Sequence, residues 1–284
     1  MKSRDLRRLA GSTSLALAAL AVLPLLAGAL LGACDGEGTT SSKRVTLKTQ
    51  ITADDEVTKP FTNAYGWSIT LSKAAVSIGA LTYFDGAPIF SAARSPARAR
   101  PRDALTRLLG VNTAFAHPGH YQAGNAMGQV LSSSSADLMQ GLVALPTGEG
   151  VAGVYRSGRF TFEGTPTGSA TDQLGGKVVV LEGEARKETM TRLFRAEAGV
   201  DDVLDSYAEP KLEGCAFDEE PDVQADGTVT VHIKPSIWLD QAEFDDVPES
   251  ADGEPVALAP DGVAFKAFSR GLKKGSAVVF RYAP

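Results

Sequence analysis

Two of the three histidines in this 284-residue chain, His117 and His120, enclose a Pro-Gly pair in the sequence Ala-Phe-Ala-His-Pro-Gly-His-Tyr. Pro-Gly is the preferred centre of a type II turn, which brings its first and fourth Cα atoms within about 7 Å of each other. Both imidazoles can then face one point in space, and neutral imidazole is a ligand of Zn²⁺ and Cu²⁺. We predict that the two side chains form half of a transition-metal site.

The third histidine, His232, lies in segment 228–234, where valine and isoleucine alternate with polar residues. This period of two predicts a strand in which His232 points away from the apolar face. If the His-Pro-Gly-His turn packs over the polar face, all three histidines converge, and Tyr121, Cys215 or a carboxylate is a candidate for the fourth ligand. The alternative is an ordinary turn and an exposed strand histidine, because the pattern lacks the spacing of a zinc finger or of HExxH.

Other groupings are open to two interpretations. The carboxylate-rich segment 240–254 is suited to Ca²⁺ but lacks the EF-hand order, so a solvated acidic run is the alternative. Trp67, Tyr83 and Trp238 form either a sugar-stacking platform or part of the core. No nucleophile elbow, P-loop or dinucleotide fingerprint is found in the sequence, and we predict that the chain is not an enzyme.

The first 34 residues have the three-part pattern of an export signal. Four basic residues precede an apolar run from about Leu15 to Leu31, and the run ends in Leu31-Gly32-Ala33-Cys34. This ending resembles the lipobox of bacterial lipoproteins. An ordinary signal peptide or a single membrane-spanning helix is the alternative, but the apolar run is short for a span and is followed by Asp35-Gly36-Glu37-Gly38.

The resemblance implies that residues 1–33 are removed and that Cys34 carries a covalent lipid of the palmitate type. Several acyl chains hold a protein firmly to a bilayer. The resemblance therefore implies a lipid-anchored protein of the bacterial cell envelope, facing the periplasm or the cell surface. We expect residues 34–44 to include the lipidated cysteine and a flexible linker, because they are small, polar and without periodicity.

Composition limits the partners. Residues 1–33 contain four of the 28 basic residues and one of the 34 acidic residues, so the remainder has 24 against 33 and a net charge of −9. This balance disfavours nucleic acid as a partner. The expected partners are the membrane, through the lipid, and an envelope transporter or receptor. With Cys34 lipidated, Cys215 has no cysteine left with which to form an intramolecular disulfide.

Segment 45–284 has the pattern of a β-rich ectodomain. Short runs of alternating polarity are separated by glycine, proline and aspartate; they begin at Val45, Trp67, Val76, Arg159, Lys177, Thr191, Thr228 and Ser276. Helical patterns are limited to 103–109 and, more weakly, 136–142. We predict an all-β fold, an antiparallel β-sandwich-like single domain with one or two short helices.

An arginine- and proline-rich stretch at about residues 92–103 interrupts this pattern and predicts an exposed loop. Its arginines can contact lipid headgroups or simply balance an acidic domain. Together, these features favour an envelope lipoprotein whose β-domain binds a ligand, Zn or Cu above all. The alternative function is a structural or protein-interaction lipoprotein without metal.

Overall fold

The computed structural model describes residues 43–54, 57–88 and 121–284, all within one unit that spans residues 42–284. Its first strand, β1 (Arg44–Ala53), shows why the chain forms sheets. Every second side chain is buried, from Val45 to Ala53, and those between are exposed or half-buried. This alternation allows a strand to bury one face in a core while the other meets solvent.

Eight strands close into a barrel in the order β1-β14-β16-β12-β9-β4-β5-β7. Besides β1, the barrel strands are β4 (Leu81–Phe84), β5 (Ala126–Val130), β7 (Val143–Val151), β9 (Ser157–Thr161), β12 (Lys211–Phe217), β14 (Gly227–Ile233) and β16 (Val278–Ala283). Neighbouring strands are antiparallel except in the pairs β1 with β14 and β12 with β16. Both parallel pairs join segments that are distant in sequence.

Aromatic rings fill the barrel interior. The rings of Tyr83 and Phe280 have centroids 5.4 Å apart, and Phe217 lies 5.5 Å from Tyr83. Space for them comes from strand glycines: a Cβ on Gly128 would contact the Tyr83 ring, and one on Gly158 would overlap the Phe280 ring. An eight-stranded barrel is just wide enough for side chains to fill, so large rings require small residues opposite them.

A second sheet, in the order β15-β11-β10-β3-β2 with β6 on β3, shares the hydrophobic core with the barrel. Its strands are β2 (Phe61–Thr62), β3 (Ser68–Ile78), β6 (Ser134–Asp137), β10 (Val179–Lys187), β11 (Met190–Ala198) and β15 (Val256–Ala257). On its other face, Glu182 of β10 pairs with Lys73 at 2.6 Å and with Arg195 at 3.4 Å. A third sheet pairs β8 (Gly153–Val154) with β13 (Asp222–Val223).

Helices are few and short in the described ranges: α1 (Thr171–Leu174), α2 (Pro235–Leu239) and α3 (Val263–Leu272). α3 is amphipathic and buries Phe265, Phe268 and Leu272. The weak helical pattern at 136–142 instead forms the end of β6 and a 3₁₀ turn at Leu138–Gln140, because the Asp137 side chain accepts a hydrogen bond from the Met139 amide and caps that turn. The predicted helix at 103–109 lies outside the described residues. Within those residues, no helix has the length and apolarity needed to cross a membrane.

The prediction of an all-β fold is confirmed. The finer prediction of a β-sandwich is not, since strand pairing closes eight strands into a ring. Tyr83, Trp67 and Trp238 are fully buried, so the aromatic residues belong to the core and do not form an exposed sugar platform.

Candidate functional site

The described part of the chain contains three of the predicted site residues: Tyr121, Cys215 and His232. Cys34, His117 and His120 lie outside it, as do residues 35–42 of the linker predicted at 34–44 and the loop predicted at about 92–103. Arg44, predicted to end the linker, is instead the first residue of β1. The structure does, however, describe both flanks of residues 89–120. These flanks, 84–88 and 121–126, are called the stem.

A hydrogen-bonded clasp joins the two sides of the stem. The Asp85 carboxylate accepts from the Asn125 backbone amide at 2.7 Å and from the Asn125 side-chain amide at 2.9 Å. The backbone of Gly86 adds a bond from its amide to the Ala123 carbonyl at 2.9 Å. The bonds from Asn125 favour the charged form and hold the pKa of Asp85 below its usual range. The entry and the exit of the 89–120 segment are therefore fixed beside each other.

Two glycines make this close approach feasible. A Cβ on Gly86 would clash with the carbonyl oxygens of Gln122 and Ala123. Gly124 has a φ of +74°, and a Cβ there would clash with the Asp85 carboxylate. A side chain is disfavoured at a positive φ and has no space at either position. The clasp thus depends on the dipeptides Asp85-Gly86 and Gly124-Asn125.

Tyr121, the residue directly after His120, is docked on the barrel wall. Its hydroxyl lies 2.7 Å from the Ser157 hydroxyl on β9, and its ring packs edge-on against Phe84 with centroids 6.4 Å apart. The Ser157 hydroxyl donates its proton to the Gly86 carbonyl at 2.6 Å. Because a hydroxyl carries one proton, Tyr121 must be the donor to Ser157. Half-burial raises the pKa of the Tyr121 phenol, which keeps it protonated.

Ser157 lies on the outer face of the barrel, as alternation along β9 shows. The neighbouring Gly158 faces the Phe280 ring in the interior, whereas Arg159 faces outward. Arg159 pairs with Glu213 of β12 at 2.6 Å and lies over the Phe84 ring at 5.6 Å. The wall under Tyr121 therefore combines an aromatic ring, a hydroxyl and an ion pair.

His232 lies on the same transverse row of the barrel as Ser157. The register runs from Ser157 to Ala216, from Ala216 to Val279, and from Val279 to His232. Three strand spacings of about 4.8 Å place the Cα atoms of Ser157 and His232 about 14 Å apart along the wall.

The predicted orientation of His232 is confirmed. Val229, Val231 and Ile233 of β14 are buried in the core, while His232 is half-buried on the opposite face. The register partners of His232 are Thr52 on β1 and Val279 on β16.

Cys215 is fully buried in the core, with its sulfur 3.8 Å from the Leu212 carbonyl. Burial raises the pKa of its thiol to about 12 because the thiolate would lose its hydration. A metal ligand must be the thiolate. This position disfavours Cys215 as a ligand in the folded barrel.

The acidic segment 240–254 is described in full. The interaction of Glu243 with the neighbouring Asp245 carboxyl group raises the pKa of Glu243. Within residues 43–54, 57–88 and 121–284, no group of three or more histidine, cysteine, aspartate or glutamate side chains is arranged to hold a metal ion.

Sequence reasoning missed Ser157 and the Asp85–Asn125 clasp. Asp85-Gly86 is recognisable as a turn dipeptide, but nothing local shows that Asp85 bonds to a residue 40 positions later. Ser157 cannot be distinguished from the other serines without knowing that β9 pairs with β4. Pairing of distant strands, and not a local motif, creates this part of the site.

Comparison with known proteins does not identify a family. No family model and no curated protein matches the chain. Among solved structures, MbnP from Methylosinus trichosporium is similar with a TM-score of 0.37 and 11% sequence identity, over 86% of this chain and 99% of that chain. This likeness is too low to show a shared family.

Proposed function

We propose that this protein is an envelope lipoprotein, anchored by lipid on Cys34, whose β-domain binds Zn²⁺ or Cu²⁺ through His117 and His120. One observation carries the proposal beyond the motif: Tyr121, adjacent to His120, is fixed on the barrel wall by Ser157 and Phe84. The role is binding, not catalysis.

The attachment of Tyr121 to the barrel wall favours a metal site at the histidines that precede it. Consecutive Cα atoms are about 3.8 Å apart, so the backbone of His120 begins next to a docked residue. Proline further restricts the turn between the two histidines. Fixing the residue that follows His120 reduces the conformational entropy lost on metal binding, and this favours a higher metal affinity.

The positions of residues on the barrel wall limit which of them can complete the metal site. His232 is about 14 Å from Ser157, so the turn would have to extend over β12 and β16 for His232 to join the site. Glu213 is already paired with Arg159 and with Lys211, the latter at 3.2 Å. We therefore propose His117 and His120 as the principal ligands and His232 as an additional one.

Metal content and metal titration test this proposal. The full chain, purified in detergent without a histidine tag, is compared with the His117→Ala/His120→Ala double variant and with His232→Ala. We expect near-stoichiometric Zn or Cu in the wild type and its loss in the double variant. Equal metal content in the wild type and the double variant would overturn the assignment of the turn.

The lipid anchor is tested separately. Nine residues, 35–43, connect Cys34 to the start of β1, enough for a tether between a bilayer and the barrel. The Cys34→Ala chain should lack the mass of the acyl groups and leave the membrane fraction. If it remains processed and membrane-bound, the N-terminal segment is not a lipobox.

A protein-interaction role is the second candidate, favoured by large apolar side chains at the surface. Leu131, directly after β5, is 70% exposed, and Leu142, directly before β7, is 63% exposed. We propose that an envelope transporter or receptor covers these two side chains. Cross-linking in intact cells, with Leu131→Ser and Leu142→Ser as matched variants, should yield a partner that both changes weaken.

A further inference from the structure

We propose that a small apolar pocket between the acidic segment 240–254 and α3 binds an organic ammonium ligand. Two stretches of the chain line this pocket: 243–248, which follows α2, and 256–265, which includes β15 and the start of α3. All of these residues are described, and none belongs to the proposed metal site. The pocket is therefore separate from the function proposed above and is tested independently of it.

Backbone hydrogen bonds fix both walls of the pocket. On one side, the Leu258 amide donates to the Arg195 carbonyl at 2.9 Å, which continues the pairing of β15 with β11. On the other side, the Val247 amide donates to the Phe244 carbonyl at 3.1 Å and closes a turn. A pocket whose walls are already held in place loses little conformational entropy when a ligand enters.

The floor of the pocket is apolar. Val247, Leu258 and Phe265 line it, and all three are buried and belong to the hydrophobic core. The pocket has a volume of about 150 Å³. Because an apolar cavity of about this size holds a benzene ring, the floor has space for a hydrocarbon group of about five or six carbons.

The rim of the pocket is negatively charged. Glu243 is half-buried and Asp246 is exposed, and both line the pocket. In the described part of the chain neither carboxylate has an ion-pair partner, and the nearby Lys187 pairs instead with Asp245 at 3.7 Å. The Asp245 carboxyl group raises the pKa of Glu243, and Asp246 adds to the rise, as expected where carboxylates outnumber cations. A positive charge at the rim would relieve this repulsion.

Floor and rim together specify the ligand. A hydrated inorganic cation gains nothing from an apolar floor, and a neutral hydrocarbon gains nothing from two carboxylates. Since the floor is buried and the carboxylates lie toward solvent, the hydrocarbon enters first and the ammonium group stays at the rim. A lysine side chain of a partner protein would enter with its charge foremost and place it against the apolar floor, where it is costly. The arrangement therefore favours a free amine.

The experiment titrates the full chain in detergent with primary alkylammonium ions, from methylammonium to n-pentylammonium and longer. Binding is followed by nuclear magnetic resonance of the ligand, and detergent alone is the blank. Each buried methylene corresponds to about a 4-fold change in affinity. We expect the affinity to rise by this factor per carbon and to level off at about six carbons, when the pocket is full.

The contribution of the rim is measured with 1-pentanol and with charge variants. An exposed ion pair contributes about 1.4- to 5-fold in affinity, so 1-pentanol should bind about 2- to 30-fold more weakly than n-pentylammonium. The Glu243→Gln/Asp246→Asn chain should lose this difference. The matched control is Glu149→Gln/Asp172→Asn, which removes the same charges from exposed positions outside the pocket and should bind like the wild type.

A substitution at the rim provides a second test. Val263 lines the pocket and is 48% exposed, so a polar side chain is tolerated there. Val263→Lys supplies an ammonium group in place of the ligand and should weaken n-pentylammonium binding more than Val263→Gln does. Equal effects of the two changes would count against an ammonium site.

Three results would overturn the proposal. An affinity independent of chain length would show a charged surface without a pocket. Equal affinities for n-pentylammonium and 1-pentanol would show an apolar cavity that does not recognise charge. The absence of saturable binding for every member of the series would show that the pocket binds no ligand of this class.

Discussion

Because the barrel interior is tightly packed, we expect a large loss of stability from Gly158→Ala, a substitution that adds only one methyl group. A Cβ at this position would lie less than 3.0 Å from two carbons of the Phe280 ring. That ring is stacked on Phe217 at 5.2 Å and packed against Tyr83 at 5.4 Å, so it has no free side toward which to move. Inserting a methyl group into a well-packed core costs about 1–3 kcal/mol of unfolding free energy.

The matched control is Gly164→Ala, where the nearest atom would be the Val200 side chain at 3.6 Å, an ordinary contact. Alanine reduces the entropy of the unfolded chain and should stabilise this variant by about 0.4–1 kcal/mol. Urea unfolding, followed by circular dichroism, measures both changes. For a domain of this size, 1 kcal/mol corresponds to about 2–4 °C in Tm. A Gly158→Ala protein within about 0.5 kcal/mol of wild type would refute the tight packing of the barrel interior.

Three further predictions follow from buried or bonded groups. Cys215 should resist thiol reagents in the folded protein and react after denaturation. Burial raises the pKa of its thiol to about 12, so only the unfolded thiol ionises between about pH 9 and 12. The free energy of unfolding should therefore fall as the pH rises through this range. Tyr155→Phe removes the donor to the carbonyls of Met127 at 2.7 Å and Val151 at 3.0 Å, and should cost about 1–3 kcal/mol in urea unfolding. The lowered pKa of Asp85 means that its contribution is present above the unfolded pKa and is lost as the pH falls; Asp85→Asn should therefore flatten the acid limb of the thermal stability profile.

Local alternation was sufficient to predict several strands. The pattern from Val45 to Ile51 lies within β1, and those at Thr191–Ala196 and Thr228–Lys234 correspond to β11 and β14. Each of these strands buries one face, and the side-chain period of two carries that information directly. Among the strands that were missed, β5, β7 and β12 contain glycine or proline.

β7 illustrates the reason for these misses. Its sequence contains Pro146, Gly148 and Gly150, residues that indicate a turn when they are considered locally. In the barrel, Gly150 lies against the Tyr155 hydroxyl and the Leu47 side chain, where no larger residue fits. The requirement for glycine therefore comes from Tyr155 and Leu47, side chains outside β7. A prediction without the tertiary pairing cannot assign it.

For the candidate site, too, the sequence reveals local motifs but not contacts that depend on the pairing of distant strands. His117-Pro118-Gly119-His120 is a local motif, and its chemistry follows from residue type and spacing alone. Ser157 gains its role only because β9 pairs with β4, which places its hydroxyl between Tyr121 and the Gly86 carbonyl. The clasp likewise requires that Asp85 meet Asn125. The pairing of distant strands, and not residue type, therefore decides which side chains adjoin the stem.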